Sequence, residues 1–90
     1  MIVIINNGDA WKMQFDITYI CNHAGKRARY YDERGNAHSY IPFTLVHARK
    51  IFRLIKQYAV EGYVINTMLY IKRYSQETGN IRILEQWEKA

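Results

Sequence analysis

The stretch TLVHARKIFRLIKQYAVEG, residues 44–62, decides the reading of the fold. Leu45, Ala48, Ile51, Phe52, Ile55, Tyr58 and Ala59 recur at three- and four-residue steps, which places them on one face of a helix. Pro42 lies just upstream, and the Thr44 hydroxyl suits an N-cap because it accepts from a first-turn N–H that has no partner within the helix. Gly62 reads as the stop, since glycine takes the left-handed conformation that closes a helix. The spacing therefore predicts one amphipathic helix over about 44–61, with its apolar stripe on a sheet. Val46 and Leu54 point off the stripe and suggest a second contact surface.

The rest of that helix is cationic. Arg49, Arg53 and Lys56 fall at i, i+4 and i+7, with Lys50 a quarter-turn away, and no acidic residue lies between Thr44 and Val60. Two explanations compete: a solvated face with Lys56 near the negative end of the helix dipole, or an anionic partner.

Outside this helix the chain reads as short strands joined by turns. Residues 2–6 form an apolar run, followed by Asn7-Gly8, the dipeptide that favours a type I′ hairpin turn. Trp11, Met13, Phe15, Ile17 and Tyr19 then alternate with Lys12, Gln14, Asp16 and Thr18, the pattern of a half-buried strand. Residues 21–26 read as a loop. Residues 27–31 and 37–41 flank a turn-rich link, 32–36, and Pro42 ends the second of these strands because it cannot donate to a ladder. Residues 63–74 carry apolar side chains on both faces, as a central strand or a dimer interface would. Residues 75–80 form a turn, and 81–87 the last strand. The expected fold class is α+β: one domain over 1–90, an antiparallel sheet of hairpins in the order β-β-β-β-α-β-β, and one helix across a face.

Ninety residues, 49% of them apolar, suffice for one core without staples. The single cysteine, Cys21, excludes an internal disulfide and fits a reducing compartment. The apolar start at 1–5 is too short for a secretory core and has no basic lead. No apolar run approaches the ~20 residues of a membrane span. The expectation is an intracellular, cytoplasmic protein without a membrane partner.

Net charge is +5, and its distribution is uneven: −1 over residues 1–25, +6 over 26–56 and zero over 57–90. Such a block is the footprint of a polyanion or of an acidic protein surface. Basic and aromatic residues interleave in Lys26-Arg27-Ala28-Arg29-Tyr30-Tyr31, with Tyr40 and Phe43 to follow. On a strand, Arg27, Arg29 and Tyr31 share a face that can track phosphates and stack an unpaired base. The opposing explanation is cross-strand packing of cations on rings in an ordinary sheet.

Catalytic signatures are missing. Cys21 and His23 lie close, but no second cysteine or paired histidine completes a zinc set, so neither metal nor cofactor is expected. A cysteine ending an apolar run reads as a small core residue rather than a nucleophile. His38 and Ser39 are strand neighbours facing opposite ways, Asp32 and Glu33 belong to a turn, and no phosphate loop or dinucleotide fingerprint occurs.

Tyr31-Asp32, Gly35, Phe43-Thr44 and Ala48 loosely resemble the sheet-plus-helix modules of phage integrase arm-binding domains. That resemblance covers about a quarter of the chain and implies major-groove reading by Arg27, Arg29 and Tyr31. The long segments after the helix depart from it, and no family is assigned.

The functional expectation is a small non-enzymatic binding module. It binds nucleic acid or a nucleoprotein complex through Lys26, Arg27, Arg29, Tyr31, Arg49, Lys50, Arg53 and Lys56. The alternative is a protein-binding inhibitor or adaptor of the type phages and mobile elements use to block a host complex. Eight tyrosines and the apolar faces support it. A homodimer paired through residues 63–74 or an edge strand is compatible with either.

Overall fold

The computed structural model describes residues 1–26, 28–40 and 43–90, the side chains of 28–30 and 39–40 excepted. Arg27 and the strand end expected at Pro42 lie outside the described residues. The elements run β1 (Ile2–Asn6), β2 (Lys12–Asp16), α1 (Ile17–His23), β3 (Ala28–Tyr31), β4 (Ala37–Tyr40), α2 (Leu45–Tyr58), α3 (Tyr63–Thr78) and α4 (Ile81–Lys89). The chain is α+β, but the expected sheet with a single helix is overturned. Four helices and two separate two-stranded antiparallel hairpins make up the described residues.

The first hairpin pairs Val3 with Phe15 and Ile5 with Met13. Its link differs from a two-residue type I′ turn. The Ala10 N–H donates to the Asn7 carbonyl at 3.1 Å and the Asn7 N–H to the Trp11 carbonyl at 3.0 Å. Only Gly8 has positive φ, whereas type I′ requires it at two central residues. Val3 and Ile5 are fully buried, whereas β2 adds only the half-buried Phe15 and leaves Met13, on its expected inner face, 43% exposed. Beyond the helix, Ala59 bridges Ile5, and the Val60 N–H donates to the Ile4 carbonyl at 3.2 Å, giving β1 a partner on its other edge.

The expected second strand stops at Asp16. There the Asp16 carboxylate accepts from the Tyr19 N–H at 3.3 Å and caps α1. Ile17, Ile20 and Cys21 then turn inward at helical spacing, so the segment expected to be strand and loop is a helix.

The helix read at residues 44–61 is present as α2, but shorter. Thr44 caps it, accepting from the His47 N–H at 3.2 Å. Ala48, Phe52 and Ile55 are buried, and Leu54 is half-buried against the core, while Val46 stays exposed. The helix ends at Ala59, in extended conformation, and Gly62 stands instead at the left-handed entry to α3. Its stripe packs on α4 and β1 rather than across a broad sheet.

Residues 63–78 and 81–89 are helices, not strands. Tyr63, Thr67, Tyr70, Ile71, Tyr74 and Ser75 follow the helical period inward. Thr67 and Thr78 fit a helix because their hydroxyls donate to the carbonyls of Tyr63 at 2.6 Å and Tyr74 at 2.7 Å, each four residues back. α4 buries Ile83 and Trp87, and Trp87 meets Phe52 of α2 edge-on at 5.4 Å. Two tyrosines tie α3 to α1. Tyr70 Oη lies 2.8 Å from Thr18 Oγ1, and the Tyr74 hydroxyl donates to the Cys21 carbonyl at 2.8 Å.

The β3–β4 hairpin, with Tyr30 opposite His38, stands apart, and no other element packs substantially on it among the described residues. At its root the Gly25 N–H donates to the Phe43 carbonyl at 2.6 Å. Gly25 has φ +78°, and a β-carbon there would meet Leu45 Cγ at 3.4 Å, so a side chain would be strained and crowded. At its tip Asp32 accepts from the Arg34 and Asn36 N–H groups, both at 2.9 Å.

Candidate functional site

The cationic row on α2 divides in two. The Lys56 ammonium donates to the Trp87 carbonyl at 2.6 Å and the Ala90 carbonyl at 3.4 Å, and it sits 4.9 Å from the Trp87 ring centroid. Arg49 is half-buried; its Nη2 donates to the Lys89 carbonyl at 3.2 Å. Both cations meet the last carbonyls of α4, at the negative end of the helix dipole, where the Trp87 carbonyl also accepts from the Ala90 N–H at 3.2 Å. Arg49 and Lys56 therefore act within the fold. Lys50 and Arg53, by contrast, are exposed with no hydrogen bond or ion pair among the described residues.

Of the remaining sequence-derived candidates, Lys26 is exposed just after α1, with its N–H donating to the His23 carbonyl at 3.1 Å. Tyr31 is 69% exposed opposite Ala37. Arg29 pairs with Ser39 in the ladder, its side chain outside the described residues, as is Arg27 altogether.

An aromatic cluster that the sequence reading did not assemble lies where α1 meets the start of α2. Tyr19, 48% exposed, stacks on His23 with ring centroids 4.1 Å apart and planes 18° from parallel. Phe43 meets Tyr19 edge-on at 6.1 Å, and His47 lies 6.2 Å from Phe43. His23 Nδ1 is 3.0 Å from the Tyr19 carbonyl, holding the stacked ring over its own helix. Lys26 follows His23 by three residues, and Lys50 lies one turn beyond His47, so cations flank the rings on both sides in sequence. Tyr19/His23 and Phe43/His47 are both i, i+4 pairs. That spacing is informative only once residues 17–23 are recognised as helical.

A second surface belongs to α3. Ile65 (62% exposed), Met68 (41%) and Leu69 (55%) form an outward apolar stripe at i, i+3 and i+4, continued by Lys72. Leu69 stands between two open grooves of about 440 Å³ and about 410 Å³.

Cys21 is fully buried, and burial pushes its thiol up to about 12. It serves as a small core residue. Among the described residues, no three His, Cys, Asp or Glu side chains gather where they could hold a metal ion. Likewise, no helix among them is long and apolar enough to cross a membrane.

Comparison with protein-family models, with curated proteins and with solved structures finds no match to this chain.

Proposed function

We propose that this protein is a small nucleic-acid-binding module that takes an unpaired base on the Tyr19–His23 stack and tracks the adjoining phosphates with Lys26, Lys50 and Arg53. The observation that carries the reading is the exposed, near-parallel ring pair with Phe43 and His47 beside it. Flat rings open to solvent accept any base on their faces, and the exposed cations Lys26, Lys50 and Arg53 supply the phosphate attraction that stacking alone lacks. The β3–β4 hairpin is rooted between Lys26 and Phe43, where the Gly25 N–H donates to the Phe43 carbonyl, and so rises beside the ring cluster. Arg49 and Lys56 are left out of the interface, because α4 engages both.

The test is fluorescence anisotropy with labelled single-stranded DNA, duplex DNA and RNA at low and physiological salt. Binding should favour single strands. Three neutralised phosphates give a slope of log K against log salt of about −2. Tyr19→Ala should weaken binding between about 5- and 150-fold, the range for one lost base stack. Binding seen only at very low salt, or left unchanged by Tyr19→Ala, would refute the reading.

A further inference from the structure

The α3 stripe is independent of the ring cluster and calls for a different occupant. Ile65, Met68 and Leu69 are consecutive steps along one helix face, and all three are large, apolar and exposed. Single exposed apolar residues are ordinary, whereas a contiguous row between grooves marks a contact surface. One groove runs between α3 and α4, lined by Met68, Leu69, Lys72, Trp87 and Glu88, with Lys56 of α2 at its edge. The other lies across Leu69 and includes Tyr70 and Arg73. A ridge flanked by grooves accepts the ridge of an incoming helix.

Charge decides among occupants. Lys56, Lys72 and Arg73 border the two grooves, and Glu88 is the one carboxylate among the described residues lining them. A second copy of this chain would bring the same cations against them. Nucleic acid would meet the cations but leave the apolar ridge without a counterpart. An acidic amphipathic helix satisfies both features: its apolar residues cover Ile65, Met68 and Leu69, and its carboxylates reach Lys72 and Arg73. We infer that the α3 face docks an acidic amphipathic helical segment of another protein.

The experiment is a display selection of a random 16-residue peptide library on the full chain, followed by anisotropy with the enriched peptides. Sedimentation velocity of the free protein runs alongside it. Leu69→Asp and the double variant Lys72→Glu/Arg73→Glu are made at exposed positions, and circular dichroism checks that both fold. The inference expects enriched peptides with apolar residues at i, i+3 or i+4, and i+7, flanked by Asp and Glu. Leu69→Asp should weaken these peptides at least tenfold, while the double variant should reverse their preference for acidic flanks. Tyr19→Ala should leave them unaffected, which separates this surface from the proposed nucleic-acid site. Three results would overturn the inference: basic or uncharged enriched peptides, binding that survives Leu69→Asp, or a dimer in the free protein that Leu69→Asp dissolves. A selection that enriches no α3-dependent peptide overturns it as well.

Discussion

Replacing Lys56 by Met keeps most of the aliphatic stem and removes the charge and the donors, which isolates what the ammonium contributes. Its main partner is the Trp87 carbonyl at 2.6 Å, near the C-terminus of α4, with the Trp87 ring 4.9 Å away. A hydrogen bond from a charged donor contributes about 1.5–3 kcal/mol, and the lower end applies because Lys56 is exposed. The ring adds about 0.5 kcal/mol at an exposed site. The expected loss is therefore about 2 kcal/mol, and at about 4–8 °C per kcal/mol for a domain of this size the Tm falls by about 8–16 °C. Lys50→Met is the control: same chemistry, same helix, no partner among the described residues, and an expected change within about 0.5 kcal/mol. Thermal unfolding followed by circular dichroism at 222 nm reads both, and Trp87→Phe would reduce the ring's share while leaving the carbonyl in place. Equal Tm values for Lys56→Met and Lys50→Met would refute the assignment of Lys56 to the fold and return it to the surface charge available for a ligand.

Thr44→Ala removes the cap that accepts from the His47 N–H and should lower stability by about 1 kcal/mol, read as a shift in the urea midpoint at constant slope. The Asp32 carboxyl is held below its ordinary 3.8, first by the His38 ring at 2.8 Å and then by backbone N–H groups. Its support of the β3–β4 turn is therefore complete at neutral pH, begins to fade as pH falls toward 3.8 and is gone below the lowered folded value. The amide shifts of Arg34 and Asn36 should follow that titration, and in Asp32→Asn the acid-dependent step should disappear. Ellman's reagent at pH 8 should label Cys21 only as fast as the chain opens, since the thiol is buried and pushed up to about 12; rapid labelling of the native protein would contradict the core placement.

The legible parts of the fold are those where one period dominates. α2 could be read because Leu45, Ala48, Phe52 and Ile55 fit only a helix and Thr44 offers the cap. The β1–β2 pairing was legible because Asn7-Gly8 separates two strand-forming runs, although the alternation read in the second run does not match its burial. α1 was lost because Phe15, Ile17 and Tyr19 continue the strand's alternation through the boundary, although Asp16 followed by Ile17, Ile20 and Cys21 is also a capped helix start. α3 was misread because its inward positions include Thr67 and Ser75, while Ile65, Met68 and Leu69 point outward. Apolar residues on two faces then resemble a central strand, when in fact one face serves the core and the other is uncovered. The 63–74 segment was still the right place to expect an exposed apolar face. Lys50, Arg53 and Lys26 stayed on the surface as read. Arg49 and Lys56 could not be assigned from the row alone, because their partners are backbone carbonyls of a helix some thirty to forty residues away in the chain.

One helix carries residues of both proposed surfaces. His47 and Lys50 lie in the N-terminal half of α2, beside the ring cluster, while Lys56 borders the groove under α3. At about 1.5 Å per residue, Lys50 and Lys56 are separated by about 9 Å along the axis, and Arg53 and Lys56 by about 4.5 Å. Those spacings are comparable to or shorter than the screening length of about 8 Å at physiological ionic strength, and well within the roughly 30 Å at 0.01 M. Phosphates held by Lys50 and Arg53 and the carboxylates of a partner on α3 should therefore weaken one another's binding, and most strongly when salt is low. Titrating one ligand in the presence of the other at several salt concentrations reads this coupling. Competition that does not change with salt would mean that the surfaces overlap sterically.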